Sequence, residues 1–341
     1  MKAPSNTSLK KANSSSSSIM KNRANQKTSL WKCAVMGAMM FTIQLPFGTT
    51  VAQEFTDPLG YVKITCSGSA VTTISASLRG STQYQGVAAS IAAGTISTGV
   101  TSWSAAQWTS EPHLCYVENA AGAEEAHLIT AMDETTGVLT LETGHDLTAR
   151  YPATPTYRIC KAVTLGNFFA SISAPFEASD RVYLWNGGGW DSYVYFSYWR
   201  KVGDISPNRN DTVLMPNLGM YIIRGAATDL VITHSGAVPM ADQVSTITGT
   251  SFISNRFPIG TTLGTSGIHD DANWNANDRI YLWNGSGWDA YYYSTHWRLS
   301  TDPGTDANGT DINPESAIFI VRDAAVAADS AGVTHPNPYT P

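Results

Sequence analysis

The segment Asp180–Asp191 reads DRVYLWNGGGWD, and Asp278–Asp289 reads DRIYLWNGSGWD. The two segments lie 98 residues apart (278 − 180), and the same offset relates later residues. The further matched pairs are Trp199 and Trp297, Arg200 and Arg298, Asn210 and Asn308, Thr212 and Thr310, Pro216 and Pro314, and Arg224 and Arg322. A constant offset requires no net insertion between copies, so the sequence predicts two copies of one module.

Each copy of this segment has the pattern of a β-hairpin. In the first copy, Val182 and Leu184 alternate with larger polar or aromatic residues, as in a strand with two different faces. The Asn186–Gly189 loop supplies residues that tolerate a positive φ, which a tight hairpin connection needs. We therefore expect Trp185 and Trp190 to form a cross-strand pair beside the turn, with Trp283 and Trp288 as its counterpart.

The remainder of the chain after residue 53 also reads as β-structure. No long window keeps the 3.6-residue apolar period of a helix, and short β-branched or aromatic runs recur between Gly, Asn, Asp and Pro clusters. The predicted strands outside the repeat are 61–66, 71–78, 113–117, 126–131, 137–141 and 156–161. These runs predict an all-β fold made of two homologous sandwich- or barrel-like modules, the first carrying an inserted small β-barrel.

A weaker similarity extends the repeat upstream. The stretch 61–70 resembles 230–237, and each precedes a run rich in Val, Thr and Ile. The predicted organisation is 1–52 signal peptide, 53–84 N-terminal strands of module 1, 85–163 inserted small β-barrel, 164–227 remainder of module 1, and 228–341 module 2 with the C-terminal tail.

The first 52 residues have the pattern of a secretory signal. Seven basic residues and no acid precede residue 53, and a short apolar run covers Cys33–Leu45. Small residues at the end of this segment predict cleavage after Ala52. The apolar run is shorter than a membrane span requires, so we expect export without a transmembrane anchor, to the periplasm, outer surface or exterior.

The net charge of the chain argues against one class of partner. The whole chain has a formal charge of −6, and removal of 1–52 leaves 14 basic against 27 acidic residues, or −13. A nucleic-acid partner usually needs clustered Lys and Arg, so the sequence argues against one.

Three cysteines follow the predicted cleavage site. An odd number in an oxidising compartment permits one disulfide and one free thiol, and Cys115 with Cys160 is the candidate pair. The alternative, which we prefer, is that Cys66, Cys115 and Cys160 are all buried free thiols.

The repeated hairpins suggest a ligand-binding surface. Their aromatic residues could stack on sugar rings while charged neighbours bond the hydroxyls. The candidate residues are Trp185, Trp190, Trp283, Trp288, Asp191 and Asp289, with Arg181 and Arg279 beside them. The alternative interpretation, which we favour, is that these aromatics form the local core of each module and fix strand register.

One acidic loop has residue types suited to a hard cation. Asp302, Asp306, Asn308 and Asp311 crowd together with two glycines, as in oxygen-rich calcium loops. The loop lacks a terminal bidentate Glu, and such sequences are more often plain turns.

The sequence carries none of the common catalytic motifs. It has no nucleophile elbow, zinc-protease helix, phosphate-binding loop or dinucleotide fingerprint. Glu124–His127 and His269–Asp271 are the tight His–carboxylate groups, and we interpret both as solvated loop residues. A glycoside hydrolase needs only two facing carboxylates, so a polysaccharide-acting enzyme stays the competing class.

The chain resembles an uncharacterised family of exported bacterial proteins. The resemblance rests on DPLGYVKI at 57–64, on the duplicated DR[VI]YLWNGxGW hairpin, and on the strand ending in Arg224. It covers nearly all of the chain after the leader and implies no activity and no catalytic residue. We therefore expect a noncatalytic surface, structural or adhesion component that contacts polysaccharide or surface components.

Overall fold

A computed structural model describes residues 57–247, 249–270, 274–323 and 332–339. The predicted signal peptide at 1–52 lies outside these residues. Strands make up most of the regular structure, so the prediction of an all-β fold is confirmed. Within the described ranges, no helix has the length and apolar character that crossing a membrane requires.

The strands follow one another with few helical residues between them. In chain order they are β1 (Leu59–Cys66), β2 (Val71–Ser75), β3 (Thr82–Val87), β4 (Ser90–Ala92), β5 (Thr95–Ser97), β6 (His113–Glu118), β7 (Glu124–Asp133), β8 (Val138–Glu142), β9 (Thr156–Lys161), β10 (Arg181–Trp185), β11 (Trp190–Tyr195), β12 (Trp199–Lys201), β13 (Gly219–Ile223), β14 (Leu230–Ala237), β15 (Gln243–Thr246), β16 (Thr250–Ser254), β17 (Thr261–Thr262), β18 (Arg279–Trp283), β19 (Trp288–Tyr293), β20 (Trp297–Leu299), β21 (Asp311–Ile312), β22 (Ala317–Val321) and β23 (Gly332–His335). The described helical elements are α1 (Leu165–Phe168) and 3₁₀ turns at Leu147–Ala149, Leu263–Thr265 and Ile268–Asp270.

The two repeated segments form five-stranded sheets of the same order. The first sheet runs β12-β11-β10-β13-β2, and the second runs β20-β19-β18-β22-β16. Their registers also match, because Val182 pairs with Tyr193 where Ile280 pairs with Tyr291. Val182 and Ile280 are fully buried in separate apolar clusters, so each sheet covers its own core.

Strand pairing also indicates the boundary between the two modules. β14 follows β13 and pairs with β1, whereas β23 follows β22 and pairs with β15. β14 and β23 therefore occupy equivalent positions, and so do β1 and β15. By this pairing β14 belongs to the first module, whereas the sequence boundary at 227–228 assigns it to the second.

The inserted segment has a length that can be read from matched positions. Ser75 and Ser254 end the two edge strands and lie 179 residues apart. Leu165 and Leu263 lie 98 apart, and their N–H groups donate to the carbonyls of Thr212 and Thr310, both at 2.9 Å. The two offsets differ by 81 residues (179 − 98), so the first module is 81 residues longer than the second between these positions.

This insertion folds into a small closed barrel. Its sheet runs β3-β9-β6-β7-β8-β5-β4, and β3 and β4, at opposite edges, are joined only by Ala88 and Ala89. The N–H of Ala88 donates to Pro155 O on the β9 side, and that of Ala89 donates to Ser97 O on the β5 side. One bent stretch of chain thus bridges both edges, which removes the exposed edges of an open sheet.

In each five-stranded sheet, a buried ion pair links the start of one interior strand to the end of the strand beside it. Asp180 pairs with Arg224, and both side chains are almost fully buried. In the second module Asp278 lies 2.8 Å from Arg322, again with both side chains buried. Asp180 Oδ1 also accepts the N–H of Gly225 at 2.8 Å, so the carboxylate holds the chain just beyond β13.

We expect Asp180→Ala to destabilise the protein by about 3–5 kcal/mol, because it leaves the Arg224 guanidinium buried without its counter-charge. Urea unfolding followed by circular dichroism measures this loss. The matched control is Asp204→Ala, whose surface pair with Arg209 should contribute less than about 1 kcal/mol. Equal effects of the two substitutions would contradict the assigned role.

The three described cysteines are free and buried, as the preferred interpretation predicts. Burial raises the pKa of Cys66 to about 12 and that of Cys160 to about 11. Cys160 pairs in register with Leu114, so Cys115 stands one residue away and faces the other side of the sheet. The candidate disulfide between Cys115 and Cys160 is therefore wrong, because neighbouring side chains on a strand alternate faces.

His335 on β23 should make the protein sensitive to acid. Burial lowers its pKa to about 3, and the nearby Arg256 guanidinium acts in the same direction. Below its ordinary pKa of 6.5 the unfolded chain takes up a proton that the folded chain refuses, so stability falls as pH falls. This group contributes about 1.4 kcal/mol per pH unit.

We accordingly expect His335→Gln to flatten the dependence of unfolding free energy on pH between pH 6 and 4. Urea titrations at four or five pH values measure this slope. An unchanged slope would show that folding does not lower the pKa of His335, and would contradict this expectation.

Candidate functional site

A groove of about 770 Å³ lies between the inserted barrel and the first module. One wall comes from β7 and from the 142–144 turn of the barrel. The opposite wall comes from β10, β11, β13 and the 211–215 segment. Thr246 on β15 also lines the groove, so three parts of the chain meet there.

The groove is acidic and partly apolar. Its apolar lining includes Leu128, Leu184 and Met215. Its carboxylates are Glu111, Glu125, Glu142, Asp191 and Asp211. Among the described residues no lysine or arginine lines it, although Lys161, Arg150 and Lys201 pair with Glu111, Glu125 and Asp191 from outside the lining. An anionic ligand would meet repulsion here, whereas a neutral or cationic ligand would not.

The first hairpin contributes Leu184 and the carboxylate of Asp191 to this groove, and Trp185 borders it. Trp185 pairs in register with Trp190, and the two rings meet edge to face with centroids 5.0 Å apart. Asp191 accepts a hydrogen bond from Asn186 Nδ2 at 3.0 Å and lies 2.8 Å from Lys201 Nζ. Asp191 pairs in register with Leu184, so its side chain lies on the opposite face of the hairpin from the two indole rings.

Three of the four predicted tryptophans lie at the contact between the two modules. Trp190 packs on Phe252 of the second sheet, with centroids 5.1 Å apart, and Trp185 packs on Phe319 at 5.8 Å. From the second sheet, Trp283 donates its indole N–H to Val71 O at 3.0 Å. Trp288 is 41% exposed, whereas the other three tryptophans join the two sheets and do not form an open platform.

In the second hairpin, the polar candidate residues make hydrogen bonds within the hairpin or at its entry. Asp289 accepts from Asn284 Nδ2 at 3.1 Å, as Asp191 does from Asn186. Neither Asp289 nor Trp283 lines the large groove, although Trp283 borders a separate cavity of about 660 Å³. Arg181 and Arg279 donate to the carbonyls of their own strand entries, at Ala178 and Ala276.

We expect Trp283→Ala to cost about 3 kcal/mol of stability and Trp283→Phe about 1 kcal/mol. The first change removes most of the packing against the first module, and the second removes only the hydrogen bond to Val71. Thermal melting and urea unfolding measure both values. Phe196→Ala is the control, since this aromatic is 59% exposed and should be close to neutral.

The acidic loop predicted for calcium is organised as turns. Asp302 accepts from Thr305, and Asp306 Oδ1 accepts the N–H of Asn308 at 2.8 Å. The Asn308 amide oxygen accepts the N–H of Trp297 at 2.9 Å. In the described ranges, Asp302, Asp306 and Asp311 do not gather their oxygens into a metal-sized cluster.

The interpretation of Glu124–His127 as solvated loop residues is wrong. They begin β7, and Glu124, Glu125 and His127 are all buried. The His269–Asp270 pair does lie in a turn, with Asp270 exposed, and Asp271 falls outside the described residues. The sequence did not predict that the start of β7 is buried, because three of its first four residues are charged or polar.

Several side chains hold the Glu125 carboxylate. Its Oε2 accepts from Arg150 Nη1 and from the Tyr151 hydroxyl, each at 2.6 Å, and its Oε1 accepts from Thr246 at 2.6 Å. Burial alone would raise the pKa of Glu125, but His127, Arg150 and the hydroxyl donors outweigh it and lower the pKa. The carboxylate is therefore ionised at neutral pH.

His127 and His145 stand beside this carboxylate. Burial lowers the pKa of His127 to about 4, against the attraction of Glu125, and burial also lowers the pKa of His145. Both rings are neutral at pH 7. His127 Nε2 lies 2.9 Å from the Tyr151 hydroxyl. The arrangement offers two imidazoles and one carboxylate at the barrel wall of the groove, since Glu125 and His127 both line it.

The comparisons with known proteins give no relative. No family model, curated protein or solved structure matches this chain. Function has to be inferred from the groove and from its side chains.

Proposed function

We propose that this chain is an exported, noncatalytic β protein, a surface or extracellular structural or adhesion component, whose groove binds an uncharged polysaccharide. The observation that carries this proposal is the meeting of Leu184 and Asp191 of the first hairpin with the barrel wall in one acidic, partly apolar groove. The apolar lining, which includes Leu128, Leu184 and Met215, can contact the C–H side of a sugar ring, and carboxylates accept hydrogen bonds from its hydroxyls.

The size and charge of the groove support this class of ligand. A volume near 770 Å³ lies within the range of known ligand sites and could hold a few sugar units. The carboxylates disfavour sulfated or uronic-acid polymers, because like charges repel in a partly buried site. Asn217 and several threonines add neutral donors and acceptors, which suit hydroxyl groups.

Export is supported by the leader and by the charge of the remaining chain. The basic segment, the short apolar run and the small residues before position 53 form the pattern of a secretory signal. The −13 charge of the remainder favours solubility and keeps the protein from anionic surfaces. A neutral glycan is therefore a better surface partner than an anionic one.

The internal repeat supplies a matched pair of variants for the test. Asp191→Asn changes a groove residue, and Asp289→Asn changes the equivalent residue outside the groove. We expect titration calorimetry with a panel of neutral polysaccharides to give saturable binding to the native protein. Asp191→Asn should weaken this binding by about tenfold, the effect of one lost charge-assisted hydrogen bond. Asp289→Asn should leave it within twofold.

Two results would overturn the proposal. One is the absence of saturable binding to any neutral polysaccharide in the panel, and the other is an equal loss in both variants. Reducing ends should be assayed in the same mixtures. Their release, abolished by a single carboxylate change in the groove, would replace the noncatalytic assignment with a polysaccharide-acting enzyme.

A further inference from the structure

We infer that Glu125, His127 and His145 form a binding site for a borderline divalent transition metal such as Zn²⁺. The three side chains come from two parts of the barrel. Glu125 and His127 alternate with Ala126 and so share one side of β7, and His145 lies in the turn after β8. One ligand atom from each residue lies within 4.8 Å of the other two.

His145 gives the second, independent observation. Its side chain is only 6% exposed, yet neither ring nitrogen makes a hydrogen bond with any described residue. Its Nε2 lies 3.7 Å from Oε2 of Glu125, which is too long for a hydrogen bond but suits two ligands of one ion. A buried imidazole without partners is unfavourable, and a metal ion would satisfy it.

The donor set selects the class of metal. Two neutral imidazoles and a carboxylate match zinc and its first-row neighbours, whereas calcium prefers six or more oxygens.

The surrounding residues hold these ligands in place. Thr246 and Arg150 fix the two oxygens of Glu125. Such outer contacts orient ligands in metal sites. The Tyr151 hydroxyl, 2.9 Å from His127 Nε2, would have to give up that contact when the ion binds.

The site has a route to solvent. Glu125 and His127 line the groove, so an ion could enter from it and keep one coordination position facing it. Zinc sites with three protein ligands use such an open position for water or for a ligand's oxygen. This site does not depend on polysaccharide binding, because its ligands come from the barrel alone.

Zinc titration of the full chain without an affinity tag tests the inference directly. We expect one Zn²⁺ per chain by calorimetry at pH 7.5, and His145→Ala should weaken it by at least about 100-fold. His269→Ala is the matched control. His269 also lies beside a carboxylate, 3.3 Å from Asp270, but no three-residue cluster in the described ranges includes it. Its substitution should change affinity less than twofold.

Cobalt binding provides a second measurement that requires no variant protein. Co²⁺ bound by two imidazoles and one carboxylate in a low-coordinate site gives strong visible absorption, which excess Zn²⁺ should abolish and Ca²⁺ should not. Circular dichroism of His145→Ala checks that it is folded. The inference is overturned if the native chain binds no stoichiometric zinc, if cobalt gives only the weak spectrum of the aqueous ion, or if folded His145→Ala binds zinc like the native protein.

Discussion

The architecture depends on the buried Asp–Arg pair that links two neighbouring strands within each five-stranded sheet. Asp180 begins the hairpin and Arg224 ends the strand beside it, and Asp278 and Arg322 repeat the arrangement. Burying opposite charges is costly unless both are fully satisfied, and here backbone N–H groups complete the carboxylate's hydrogen bonds. The pair therefore admits one register between the entry to the hairpin and the returning strand, and rejects shifted ones.

Two modules with the same hairpin have different surroundings, and this difference decides what each hairpin can do. Trp185 and Trp190 of the first hairpin pack against Phe319 and Phe252 of the other module. These aromatic side chains therefore hold the two modules together. The first hairpin alone has the inserted barrel opposite it. Asp191 consequently faces a groove, whereas Asp289 at the equivalent position does not line it. The functional asymmetry arises from the insertion and not from the repeat.

Local patterns in the sequence were sufficient to predict the hairpins, most strands and the buried thiols. Alternation and Asn–Gly turns are local signals, so the Trp185–Trp190 pairing could be read directly. The pairing of β1 with β14 and of β15 with β23 could not, because both join residues far apart in the chain. The metal-type cluster was missed for the same reason. Only topology brings His145 to Glu125, and polar residues at the start of β7 resembled a solvated turn.

Contact with β15 explains why charged groups are buried at the barrel wall. Thr246 on β15 reaches Glu125 from the second module, and Gln243 pairs with Glu124 at the start of β7. The barrel alone would leave these carboxylates facing solvent with fewer donors. Once β15 covers them, Arg150 and Tyr151 complete the shell around Glu125, and His145 is enclosed without a partner of its own. The site thus requires the insertion to supply its ligands and the second module to enclose them.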